Sequence, residues 1–244
     1  MEGGPRDGYH QKMKIGCVPY GHAKPFAKAW EGSQPMWAHP NELAQRLWDG
    51  EVDLALVPVW EALTRPGTRV LEGVAIGSMG EVRSVGVFHD RPLPECRFIQ
   101  LTPHSATSVQ LWKLLSKHLG ISLAEKNPAD ARLLIGDVAL EEWNRRSGQG
   151  VLDLGRAWTD WTGKPFVFAV WALGPNFRPN PQELDRFRAA CRVGIEKRAE
   201  LAGDKREEEY LTRCIRYGLG AEEKEGVVEF ARRSGLEQVE IKWV

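Results

Sequence analysis

Hydrophobic positions along this chain alternate between two rhythms. "MKIGCVPY" (13–20) is a short apolar run that ends in a proline-bearing turn, and it predicts a first strand. In "AHPNELAQRLWDG", Leu43, Leu47 and Trp48 recur at helical spacing. Pro40 suits the first helical position and Gly50 the left-handed residue that closes the helix. "VDLALVPV" (52–59) is almost continuously apolar, the mark of a strand buried on both faces of a parallel sheet. "VRSVGVFHD" (82–90) alternates in part and reads as another strand, reached through a loop. The order is that of an α/β protein.

The two prolines of "RPLPEC" (91–96) break the pattern, and a crossing to a second lobe is expected there. "RFIQLT" (97–102) begins a second cycle as a strand, and "PHSATSVQLWKLLSKHLG" follows as a turn and a helix ended by Gly120. "ARLLIGDVAL" (131–140) reads as strand and turn. The polar, Trp-bearing start of "DLGRAWTDWTGKPFVFAVWAL" (153–173) gives way to a strand that leads back to the first lobe. From Asn180 the pattern is helical: Asn180, Pro181 and Glu183 have capping-box spacing, and "REEEYLTRCIRYGLG" and "AEEKEGVVEFARRSG" supply two more helices. The expected architecture is a two-lobed α/β protein with an interlobe cleft and a helical C-terminal tail. Lobe 1 takes 13–92 and 173–244, and lobe 2 takes 93–172 as an insertion. Residues 1–12 read as a disordered leader, with Met13 a plausible alternative start.

At 244 residues the chain suits two lobes of about 100 residues each. Lys and Arg total 33, as do Asp and Glu, so no basic excess points to nucleic acid or an anionic membrane. No apolar run approaches the ~20 residues of a membrane span, and the N-terminus has no secretory core, so a cytoplasmic location is expected. Cys17, Cys96, Cys191 and Cys214 lie far apart without a C-x-x-C pair and read as buried thiols.

The candidate chemistry is sparse. "LTPHSATS" (101–108) joins a strand to a helix and sets Thr102, Ser105, Thr107 and Ser108 beside unpaired helix N–H groups. That suits a carboxylate or phosphate, and equally suits plain N-capping. Ser84 is a polar residue between Val82 and Val85 whose hydroxyl needs a partner if buried. Gly136 and Asp137 end a strand, with Asp137 placed to cap the next helix or to touch a ligand. His22 sits in the turn "VPYGHAKPF", whereas His10, His39, His89, His104 and His118 are dispersed and read as structural or solvated. Trp158, Trp161 and Trp171 suit either a pocket for a planar ring or the core. No nucleotide loop or metal motif is present, so no cofactor and no metal are expected.

Six stretches in order carry a family resemblance: "HPNELAQRLWDGEVDLALVPVWEAL", "GEVRSVGVF", "SATSVQLWKLL", "ADARLLIGDVAL", "DLGRAWTDWTGKPFVFAVWA" and "IRYGLGAEEKEGVVEFARR". Together they resemble the chorismate dehydratase family of the futalosine route to menaquinone, over nearly the whole chain from Lys14. The resemblance implies a periplasmic-binding-protein-like type II fold used as a cytoplasmic, cofactor-free enzyme. Its reaction is loss of water from chorismate to give 3-[(1-carboxyvinyl)oxy]benzoate. It further implies that Ser84, in the family's G-x-V-x-S strand, belongs to the active site, and that the Ser105–Ser108 turn binds a substrate carboxylate. Two departures stand out: His22 occupies the place of an active-site asparagine, and Ala106 stands where many members have arginine. The segment before "ADARLL" is also shorter than usual. These departures leave open a family member acting on a different chorismate-like carboxylate, beside a non-catalytic small-carboxylate-binding protein on the same scaffold. Oligomeric state is not indicated.

Overall fold

The computed structural model describes residues 13–30, 34–236 and 241–244; the expected leader at 1–12 lies outside them. Among the described residues, no helix is long and apolar enough to cross a membrane.

The chain opens with β1 (Ile15–Cys17), a 3-10 segment (Gly21–Trp30), β2 (Met36–Trp37) and α1 (Pro40–Trp48). β3 (Leu54–Pro58) follows, with all five residues buried as its continuous apolar run requires, and then α2 (Val59–Thr64) and the long β4 (Arg69–Ser78). Next come β5 (Val85–His89), β6 (Phe98–Gln100), α3 (Ala106–His118), β7 (Ala124–Glu125) and β8 (Ala131–Ile135). α4 (Gly136–Arg146), β9 (Val151–Asp153), α5 (Leu154–Thr162) and β10 (Phe166–Leu173) complete the middle of the chain. The tail holds α6 (Pro181–Glu196), α7 (Lys205–Glu209) with a π turn (Tyr210–Cys214), α8 (Ala221–Arg233) and β11 (Lys242–Trp243).

These strands form two sheets. One runs β11-β4-β10-β3-β1-β2 and the other β7-β6-β8-β5-β9. Two expected lobe boundaries therefore move. β5 pairs antiparallel with β8 and β9, so the first crossing falls between Ser78 and Val85, ahead of the prolines at 91–96. Those prolines only end a strand of the second sheet, around a 3-10 turn at Leu93–Glu95. β10 joins the first sheet from Phe166 onward, so the return precedes the expected boundary at 173. The two crossings lie side by side, with Phe166 paired to Ser78. A Cβ on Gly77 would meet the Phe166 carbonyl oxygen at 2.7 Å, so only glycine permits this approach.

The stretch of β4 was expected as loop; Gly73 and Gly77 interrupt its apolar run, and its pairing with β10 is irregular, with register shifts. Trp158 and Trp171 are fully buried core residues. Trp158 meets Phe166 edge-on with centroids 5.2 Å apart, and Trp171 does the same with Phe26 at 5.4 Å. Trp161 stacks on His118 at 4.2 Å, beneath the Arg233 guanidinium. Trp158 and Trp171 are thus spent on the core, and Trp161 on this stack.

α6 begins with the expected capping box of Asn180 and Glu183. It packs on the 3-10 segment at Gly194, where a Cβ would collide with the Pro25 carbonyl oxygen. Gly194→Ala is expected to lower stability by about 2–3 kcal/mol, since backbone rather than a flexible side chain must yield. Chemical denaturation midpoints of the two proteins check this.

Candidate active site between the two sheets

The strap between β4 and β5 carries Ser84. Arg83 adopts φ 61°, an uncommon conformation for a residue with a Cβ. The buried Asp153 carboxylate holds it there, accepting from Arg83 N at 2.6 Å and from Val82 N at 3.1 Å. The same carboxylate caps α5 through Arg156 N at 2.9 Å. Burial pushes this carboxyl up, and the backbone donors pull it back down. Ser84 itself is buried, and its carbonyl accepts from Gly136 N at 2.8 Å, tying the strap to the start of α4.

Ser105 caps α3: its Oγ accepts from Ser108 N at 3.2 Å and lies 3.0 Å from Ser108 Oγ. Asn41 of the first lobe reaches across, accepting from Ala106 N at 3.1 Å and donating to Pro103 O at 2.8 Å. Nearby, the His39 and His104 rings stack across the same seam with centroids 4.2 Å apart.

His22 lies in the 3-10 segment, with its carbonyl held by the Tyr217 hydroxyl at 3.0 Å. Its Nδ1 is 3.3 Å from the Tyr210 hydroxyl, which in turn donates to Ser84 Oγ at 2.8 Å. Desolvation pushes the imidazole down to about 4, so it is neutral at neutral pH although His22 lines the cavity. Burial pushes the Tyr210 phenol up, which keeps it protonated.

His22, Ser84, Ser105, Ser108 and Gly136 line one cavity, walled otherwise by Tyr20 and apolar side chains such as Phe168. About 50 Å³ of it admits the centre of a water molecule. The hollow is thus a narrow slot. Among the described residues lining it there is no Lys or Arg. A larger, open groove adjoins it past Tyr20 and Tyr210, with about 1060 Å³ admitting the centre of a water molecule.

Two candidates stand outside the slot. Thr107 is fully buried, and its Oγ1 accepts from Trp60 N at 3.0 Å, which corrects the expectation of a substrate contact. Asp137 lies at the outer groove and takes Gly21 N at 3.0 Å, linking the lobes rather than meeting the cavity. Gly136, with φ 64°, lets Tyr20 pack on the start of α4, since a Cβ would sit 2.9 Å from that ring. Three residues escaped the sequence reading. Asp153 had a visible signal, an acid before a helical stretch, and Asn41 lay unremarked within a quoted motif. Tyr210 had none, because the charged "KREEE" before it suggests an exposed helix face.

Two lobes around a cleft, with polar groups converging from both, define a small-ligand-binding α/β protein of the periplasmic-binding-protein type. Solved structures agree on this fold. An Archaeoglobus fulgidus protein superposes with TM-score 0.68 at 16% identity, covering 94% of this chain and 100% of that one. A Candida albicans gene product, described as exhibiting the generic periplasmic binding protein structural fold, gives 0.64 at 12% identity, covering 93% and 91%. The chain belongs to the menaquinone biosynthesis family, whose model matches residues 13–235. It is 31% identical to the chorismate dehydratase of Thermus thermophilus, over 84% of this chain and 88% of that protein.

The depressed His22 links folding to pH. Its folded value lies below the unfolded value of about 6.5, so its contribution is complete above that pH and is lost as pH falls toward 4. Between pH 7 and pH 5 the native protein is expected to lose about 2 kcal/mol more stability than His22→Asn. Urea unfolding of both proteins at the two pH values measures the difference.

Proposed function

We propose that the chain is a chorismate dehydratase, acting in the cytoplasm to eliminate water from chorismate and give 3-[(1-carboxyvinyl)oxy]benzoate for menaquinone synthesis. The observation that carries this is the 31% identity to the Thermus thermophilus enzyme across most of both chains. The converging slot supplies a site of matching chemistry. Substrate loses a ring hydroxyl and the hydrogen on the neighbouring carbon, which bears the enolpyruvyl ether. The C–H electron pair becomes the third ring double bond as the C–O bond breaks. The released proton and hydroxide make water, so the electrons balance without an oxidant.

In this reading the Ser105 and Ser108 hydroxyls at the start of α3 hold one carboxylate, aided by the helix dipole. Ser84 donates to the enolpyruvyl side. His22 accepts the ring proton. A base of pKa about 4 is weak in the empty site, but a dianion entering a slot without Lys or Arg favours the imidazolium and raises that value. The substrate therefore tunes its own base. The substrate's enolpyruvyl carboxylate is the competing acceptor, and removal of His22 separates the two.

Incubation with chorismate is expected to produce an aromatic ultraviolet spectrum and a mass lower by one water. Chorismate bound tightly without turnover would instead mean a binding protein. His22→Asn and Ser84→Ala are each expected to lower kcat by about 100-fold or more. Unchanged turnover in His22→Asn would hand the proton to the substrate's carboxylate. For the native enzyme, the acid limb of kcat/KM is expected near 4, the free-site value, and that of kcat at higher pH. Coincident limbs would show that substrate does not shift the imidazole.

A further inference from the structure

We infer that Tyr210 is a positioning residue that fixes which nitrogen of His22 bears the proton and which faces the chemistry. A phenol has one proton, and the geometry commits it to Ser84 Oγ at 2.8 Å. The contact of 3.3 Å between the Tyr210 oxygen and His22 Nδ1 is then a hydrogen bond only if Nδ1–H donates. Nε2 is left as the lone pair of the neutral ring. Ser84, having accepted from Tyr210, keeps its own proton to give away. One hydroxyl thus sets His22 to accept and Ser84 to donate.

The surroundings fix this arrangement at more than one point. Tyr210 opens the π turn, closed by Ile215 N donating to Tyr210 O five residues back, an irregularity often found at functional sites. The residues beside the pair are themselves joined: Arg83, next to Ser84, pairs with Glu209, next to Tyr210, at 2.9 Å. Tyr210 is buried, so water does not compete for its hydroxyl. The other groups facing His22 are the Tyr20 ring, 5.5 Å away, and the Tyr217 hydroxyl on its carbonyl. The carboxylates whose charge reaches Tyr210, Asp137 and Asp153, are engaged by backbone N–H groups, Asp137 by Gly21 N and Asp153 by Val82, Arg83 and Arg156.

The tautomer assignment stands on geometry alone, whereas its kinetic consequence rests on the dehydratase reading. Nitrogen-15 NMR of histidine-labelled protein, with the His22 signals identified by their loss in His22→Asn, tests the first without substrate. The native protein is expected to show Nδ1–H and a bare Nε2. In Ser84→Ala the phenol proton loses its acceptor and turns to Nδ1, and the ring is expected to switch to Nε2–H. In Tyr210→Phe the tautomer preference is expected to disappear. There kcat should fall about tenfold to a hundredfold with KM nearly unchanged, and circular dichroism should stay native. An Nε2–H native ring, or His22 signals unmoved in both variants, overturns the inference. Should Tyr210→Phe fail to fold, the Ser84→Ala switch decides alone. The expected tautomers in a protein inert toward chorismate would sink the dehydratase reading and leave the assignment of Tyr210 standing.

Discussion

A single buried carboxylate carries the architecture of the slot. Asp153 gathers the N–H groups of Val82, Arg83 and Arg156, and so ties the strap leaving the first sheet to the helix that returns to it. Backbone donors buried without such a partner cost about 1–3 kcal/mol each, which is why an acid tolerates burial here. In return the strap is held in a left-handed turn at Arg83, which brings Ser84 to the cavity wall. The strap's position fixes Tyr210, through Ser84 and through the Arg83–Glu209 pair, and Tyr210 in turn meets His22. One carboxyl group thus orders groups from three separate stretches of chain.

How much of this was legible in the sequence depended on whether the cause was local. α1, α3, α6 and α8 announced themselves through period and caps, and β3 through its continuous apolar run. β4 was hidden because its glycines answer to distant neighbours rather than to its own pattern, Gly77 to the β10 backbone and Gly73 to a left-handed turn beside α6. α5 was hidden because "LGRAWTDWT" looks polar until Leu154 and Trp158 are seen to share a buried face. β5 was recognised as a strand but given to the wrong sheet, since sheet membership is decided by pairing with β8 and β9, which lie 40 and more residues away.

The site divides the same way. Ser84, Ser105, Ser108, Gly136 and His22 were reachable from motifs and a family resemblance, and they do share one hollow. Thr107 sits among the same hydroxyls, yet helical geometry turns it to the opposite face, where Trp60 N claims it. Tyr210 could not be reached by spacing, because its role exists only once the tail has folded back against the strap. The second lobe is held to the first through Asn41, Asp137 and Thr107, so the seam is stitched on more than one side of the slot.

The Asn41 contact has a consequence for how the two halves come apart. The first N–H of α3, a natural seat for an anion, is occupied by the protein's own amide oxygen. The same side chain donates to Pro103 O, so one amide bridges the seam with both of its ends. Parting the halves along this side breaks both bonds together. This part of the seam is a two-ended clasp, and the helix N–H it covers is open to another acceptor only once the clasp is undone.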